Sequence, residues 1–334
     1  MNPRRRIALL AAIAAVVLVG ATLYGVLQWQ RMQQPPSVAS TVAVATGPEL
    51  EGARIVFRNT ASGEGYGHVA AVPLNNPGAP RSVGDMVCDR VDATSAATIC
   101  LRTKRGIVTT FEAELYTDQA LARSWPLAGI PSRTRLSSDG ELVATTSFVT
   151  GHSYAAVGFS TETVVTDASG ASHGNLEEFT LSVDGAPLFA IDRNLWGVTF
   201  ADDGNTFYAT AASGGRTWLV EGDLERRTLT AVREGAECPS LSPDGTRVAY
   251  KKNVGTGSEA RWSIAVYDFA TGEETLLPVE TVDDQVEWLD DDTLLFGLAR
   301  ADTPGDSDIW AVTADGGSEP RLLIEHAWSP AVIP

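Results

Sequence analysis

The chain is poor in the residues from which most metal and redox sites are built. It has 3 cysteines, 4 histidines and 3 methionines in 334 residues. Three cysteines exclude a disulfide-dense scaffold, which needs several bridges in a short chain. The four histidines, His68, His152, His173 and His326, form no pair at metal-ligand spacing on one helix or strand. No metal and no cofactor is therefore expected. Positive charge is also scarce, with 25 Lys and Arg against 42 Asp and Glu and a net charge of −17. That balance excludes nucleic acid as a partner, because gripping phosphate takes clustered cations. It reads instead as a solvated surface.

Long apolar runs are limited to one. Arg4, Arg5 and Arg6 precede Ile7 to Leu27, 21 residues (27 − 7 + 1) without a charge. A helix needs roughly 20 apolar residues to cross a bilayer. With three arginines in front, residues 1–6 are expected in the cytoplasm, 7–27 as a signal-anchor helix in the membrane, and the rest outside. The competing reading is a secretory signal cleaved at Ala43-Val44-Ala45, which sits far beyond the apolar segment. Both readings export the remainder of the chain. Residues 28–50, rich in Gln, Pro, Ala and Ser, are expected to be a flexible tether.

From residue 51 to 334 a repeat takes over. Aligned on the apolar residue before each turn, the copies stand at Val91, Leu136, Phe200, Leu241, Trp288 and Trp328, with spacings of 45, 64, 41, 47 and 40 residues. Periods of about 40–50 residues suit four-stranded propeller blades. In the clearest copy, Ser242-Pro243-Asp244-Gly245, proline presets the first turn residue and glycine takes the left-handed position that closes a three-residue loop. Short apolar strands follow, such as Val248-Ala249-Tyr250, unalternating because a blade buries both faces. The last copy stops shortly after Trp328-Ser329-Pro330, and Glu51-Gly52 before Ile55-Val56-Phe57 supplies its other half. The fold expected is all-β, a six-bladed propeller closed by the C-terminal strand. The copy at Leu136 is about 20 residues longer than one blade needs, and the excess is assigned to residues 160–179.

The recurring W/L-S-P-D-G followed by an apolar strand resembles the TolB-like propellers, six-bladed modules of the bacterial envelope. The resemblance spans about residues 51–334 and carries fold far better than activity. It implies a protein partner in the cell envelope, but it assigns no partner residues, because this chain has an apolar N-terminal segment and no α/β domain before the propeller.

Register on the best copy pairs residues whose numbers sum to 488. Shifted to the Val91 copy the sum is 188, which sets Cys88 opposite Cys100 and predicts a disulfide in an oxidising compartment. Cys238 aligns with Cys88 but faces Tyr250, so it is expected to be a lone buried thiol.

Candidate catalytic motifs dissolve on inspection. Gly170-Ala171-Ser172-His173-Gly174 matches a nucleophile elbow but lies in a Gly/Ser-rich stretch with no helix after it. Gly63 to His68 is glycine-rich yet joins two strands. Asp283, Asp284 and Asp290 to Asp292, with Asp302, Asp306 and Asp308, lack a calcium-loop pattern and are expected in solvated turns.

The face opposite the Asp-Gly turns gathers unlike side chains: Tyr66, His68, Arg90, His152, Trp196, Arg216, Trp262, His326 and Trp328. Aromatic and Arg residues are common interface anchors. The expected function is non-enzymatic: a membrane-anchored binding scaffold in the cell envelope. The rival is an enzyme of lyase or lactonase type using the central channel. Three or more carboxylates or histidines meeting there would favour the rival.

Overall fold

The computed structural model describes every residue except 1–2, 34–38, 48–49, 150–159 and 256–259, and no side chain of 6–8, 11 or 29–33. The chain divides into a unit of Met1–Thr41 with Ser62–Glu64 and a unit of Val42–Ala61 with Gly65–Pro334. The first holds one helix, α1 (Pro3–Gln33). Among the described residues no helix is long and apolar enough to cross a membrane. The expected span at 7–27 is thus not supported there, although its residues 7, 8 and 11 have side chains outside the described set.

Among its described residues the second unit is built of short sheets with one 3-10 turn. β1 (Arg54–Asn59), β2 (His68–Pro73) and β3 (Ser82–Val87) open it. β4 (Arg90–Ala93), β5 (Ala97–Lys104), β6 (Thr110–Thr117) and β7 (Ala120–Pro126) form blade 2. β8 (Ile130–Leu136), β9 (Leu142–Val149), β10 (Ser160–Asp167) and β11 (Ser172–Asn175) form blade 3. Blade 4 has six strands, β12 (Thr180–Val183), β13 (Ala186–Pro187), β14 (Asn194–Phe200), β15 (Thr206–Ser213), β16 (Arg216–Asp223) and β17 (Thr228–Glu234). Blade 5 comprises β18 (Glu237–Leu241), β19 (Arg247–Asn253), β20 (Trp262–Asp268) and β21 (Glu274–Leu276). Blade 6 comprises β22 (Glu287–Asp290), β23 (Thr293–Ala299), β24 (Ser307–Thr313) and β25 (Arg321–Ile324). The last strand, β26 (Ala327–Ile333), returns to pair with β1, giving blade 1 the order β26-β1-β2-β3. The split motif closes the ring as expected, and Gly52 takes φ +77° in its share of the turn.

Second strands form the core: Ile55, Phe57, Ile99, Leu101, Phe207, Tyr250 and Phe296 are fully buried. At about 25 cal/mol per Å² of apolar surface, such stacking between blades is the main stabilising term. Trp328 lies against Gly297, where any Cβ would fall 2.6 Å from the indole. Glycine is the residue that lets the ring close there.

The structure corrects three sequence expectations. The excess of blade 3 occupies only the end of 160–179 and continues beyond it. Residues 160–167 and 172–175 are regular strands, and the added material is a 3-10 turn (Leu176–Glu178) with β12 and β13. β12 runs parallel to β17 and widens blade 4. The hairpin loop is also longer than the three residues inferred from turn chemistry. Ser242 N–H donates to Arg247 C=O, because the Thr246 N–H and hydroxyl both turn back to the Asp244 carboxylate and leave the ladder. In blade 2 the turn is shorter, Thr94 bonding to Ala97, so Cys100 faces Val91 rather than Cys88. The disulfide forms nonetheless, with Cys88 reaching in from the segment before β4 at a Cα–Cα distance of 5.4 Å. Cys238 is a free buried thiol.

Within the expected tether, Ala43 and Ala45 exchange backbone hydrogen bonds with Arg81. This adds a short parallel bridge to blade 1.

Candidate functional site at the channel mouth

In each blade the innermost strand lines the central channel, entering from the face opposite the Asp-Gly turns. Strands expose alternate residues to one side, so Arg90 and Asp92 on β4 and Arg133 and Arg135 on β8 share a channel-facing register. The two arginines of β8 reach across the ring to blade 6, three blades away. Arg133 places Nε 3.2 Å from Asp284 Oδ1 and donates from Nη2 to the Asp283 carbonyl at 2.8 Å. Arg135 pairs with Glu287 and stands 3.7 Å from Asp92. Arg90 approaches Asp284 Oδ2 at 3.7 Å and donates to Ser132 C=O at 2.6 Å. Gln285 crosses to the carbonyls of Val198 and Pro239. The channel is therefore spanned by side chains rather than open.

Burial sets the charge states. Burial pushes the Asp284 carboxyl up, but the Arg133 and Arg90 guanidiniums outweigh it and hold it below the usual range. Burial raises Asp92 despite Arg135, and raises Glu287 to about 6 because Arg135 must serve both carboxylates. Burial also lowers Arg90, whereas at Arg133 burial is outweighed by Asp284 acting together with Cys238 and Asp283. Three polar atoms of this network, Arg133 Nε, Arg135 Nε and Asp284 Oδ2, have no hydrogen-bond partner among the described residues.

Around this plug lies the mouth. Lys251 sits 3.5 Å from Asp283 and 4.9 Å over the Trp262 ring. Arg90 lies 5.9 Å over Trp328, and Arg58, bonded to Cys88 C=O, lies 5.0 Å over Tyr66. The structure thus brings Arg90, Trp262, Trp328 and Tyr66 to one rim. The other sequence candidates are dispersed. His68 is half-buried, its Nδ1 2.7 Å from Gly84 C=O. Arg216 pairs with Glu234 on the outer part of blade 4. Trp196 is half-buried on β14. His326 bonds Asp306 at 2.7 Å, and Asp306 takes the Thr60 hydroxyl, a latch across the closing seam. His152 lies outside the described residues.

Sequence reasoning missed Arg58, Arg133, Arg135 and Lys251, and it misplaced Asp284, Asp306 and Asp308 in solvated turns; all three acids are buried. The available signal was Arg133-x-Arg135 opposite Arg90-x-Asp92, period-two charge on strands that should face the channel. Ser172 of the elbow-like motif is exposed and accepts the Gly174 N–H.

Comparison with solved structures now places this ring. TolB from Acinetobacter baumannii superposes with a TM-score of 0.59 at 15% identity, over 84% of this chain and 66% of that one. The fold is that of the TolB propeller. A chain of a nidogen/laminin complex shares it, with a TM-score of 0.56 at 9% identity over 84% of this chain and 98% of that one. At such identities the likeness is of fold alone. No protein-family profile matches the chain. Dipeptidyl-peptidase 5 of Aspergillus oryzae is 31% identical over 105 residues, 30% of this chain but 14% of the peptidase. The matched segment thus spans a small part of both this chain and that enzyme.

Proposed function

We propose that this chain is an exported, membrane-anchored binding module that captures a protein partner of the cell envelope through the channel-mouth face, without catalysis. The plugged channel carries this reading: a substrate entering it would have to break ion pairs at Arg133 and Arg135 that cross the ring. Separating such buried pairs costs several kcal/mol. What remains accessible is the rim, where Tyr66, Trp262 and Trp328 each sit beside a cation. Aromatic and Arg anchors suit protein recognition, and a propeller of this fold occurs in a nidogen/laminin complex. Anchoring is supported by the uncharged run 7–27 behind three arginines. Within α1, the Thr22 hydroxyl donates to Leu18 C=O and so carries no unmet donor into lipid.

The test is capture from detergent-solubilised envelopes with the full chain. Tyr66→Ala with Trp262→Ala should reduce recovery of the partner while leaving the melting temperature within a few degrees. Unchanged recovery would refute the rim as the binding site.

A second reading, enzymatic use of the channel, is favoured by one observation: the carboxylates of Asp92, Asp284 and Glu287 do converge there. It predicts turnover of some substrate that Glu287→Gln abolishes without unfolding the protein.

A further inference from the structure

The propeller's exposed apolar side chains are not spread evenly. Ile107 and Val108 form the tip of the loop between β5 and β6, fully exposed and 74% exposed. Ile191, 80% exposed, leads into β14 beside Asp192, which bonds the Gly214 N–H of the β15–β16 loop. Ile130, 57% exposed, begins β8. Strand order puts all of them on the mouth face of blades 2 to 4. The remaining exposed large apolar residues of the blades include Leu121, Leu276 and Leu322, single residues on the outer strands β7, β21 and β25. Isolated exposed leucines need no explanation, but several bulky tips on one face do.

Charge differs between the two faces within blades 2 to 4, whereas around blades 5 and 6 the mouth face too carries exposed acids, Glu280, Asp283, Asp302 and Glu325. The opposite face carries exposed Asp139, Asp202, Asp203, Asp244 and Asp290 to Asp292 in the turns. Beside Ile107 stand Lys104, paired with Glu112, and Arg105, long side chains able to keep their charge in water above a buried stem.

We propose that these loop tips of blades 2 to 4 rest in the interfacial layer of the bilayer, so that the propeller lies mouth-side down on the membrane with its acidic turn face outward. Protruding, separate tips with flanking cations suit a lipid interface, where apolar burial adds to attraction for anionic headgroups. The acidic face is repelled by the same headgroups. The inference rests on the anchor reading above, and it places the protein partner at or in the membrane.

The test uses the full chain in vesicles of phosphatidylcholine and phosphatidylglycerol containing headgroup spin-labelled lipid. A fluorophore is attached at Ile107→Cys in one sample and at Asp202→Cys in another. Quenching at position 107 and not at 202 is expected, and Ile107→Asp with Ile191→Asp should weaken vesicle binding of any propeller not held by the helix about tenfold or more. If the chain floats with vesicles but 107 stays unquenched, the contact is wrong and the anchor stands. If the chain does not float, both fall. If 107 becomes shielded only when solubilised envelope protein is added, the face docks protein rather than lipid.

Discussion

Arg133 ties together two parts of the ring through one side chain: its own strand at Ser132, and the segment before β22 at the Asp283 carbonyl and the Asp284 carboxylate. Removing one member of a buried pair leaves the other charge stranded. Arg133→Ala should therefore cost about 3–5 kcal/mol, read by urea denaturation, whereas Arg133→Leu combined with Asp284→Leu should cost clearly less. Additive losses would mean the two side chains do not act as a pair. Glu177 makes a second residue-scale prediction. Burial pushes its carboxyl up to about 7, although it accepts from the Thr163 N–H, the Thr161 hydroxyl and the Leu195 N–H. A carboxyl raised in the folded state contributes stability that is complete below its unfolded value near 4.5 and is lost as pH rises through 7. Asp139, Asp203 and Asp244 are held low in their turns and act oppositely, losing stability only in stronger acid. The melting temperature should fall between pH 5 and pH 8, and Glu177→Gln should flatten that slope even if its overall stability is lower. A slope unchanged in the variant would remove Glu177 from the account.

At the scale of elements, turn chemistry was readable and its consequences for register were not. Gly140, Gly204 and Gly245 all adopt φ between +70° and +75°, as the Asp-Gly signature requires. What the signature could not convey is that Asp244 captures Thr246 and lengthens the loop, or that blade 2, lacking the motif, closes on Ser95-Ala96. The disulfide was nevertheless anticipated, because two cysteines on either side of one tight hairpin stay close under several registers. Non-reducing peptide mapping should recover Cys88 linked to Cys100, with Cys238 alkylated only after denaturation. Reduction should cost about 2–3 kcal/mol for so short a loop, and recovery of Cys238 in any native disulfide would contradict the assignment. The closing strand gives a sharper prediction. β26 supplies the inner strand of blade 1 and carries His326 into the seam with Asp306 and Thr60. Deleting residues 326–334 leaves β1 an open edge and should lower the melting temperature of the propeller far more than trimming an outer strand such as β25.

For the molecule as a whole, architecture was legible because a propeller writes the same turn and strand into every blade, so errors in one copy are corrected by the others. The site was only partly legible because it is made where the copies differ. Arg90, Tyr66, Trp262 and Trp328 could be placed on the mouth face by counting strands. Arg133 and Lys251 could not be paired with Asp283 and Asp284, because those contacts join elements far apart in sequence, 150 residues for Arg133 and Asp283 and 32 for Lys251 and Asp283. The central claim is that the mouth face, not the turn face, meets other molecules. Site-specific photocrosslinking on intact membranes tests it most directly, with the photoreactive residue introduced at Tyr66 or Trp262 on one face and at Asp203 or Asp244 on the other. The account predicts discrete protein adducts from positions 66 and 262 and none from 203 and 244; adducts confined to 203 and 244 would contradict it.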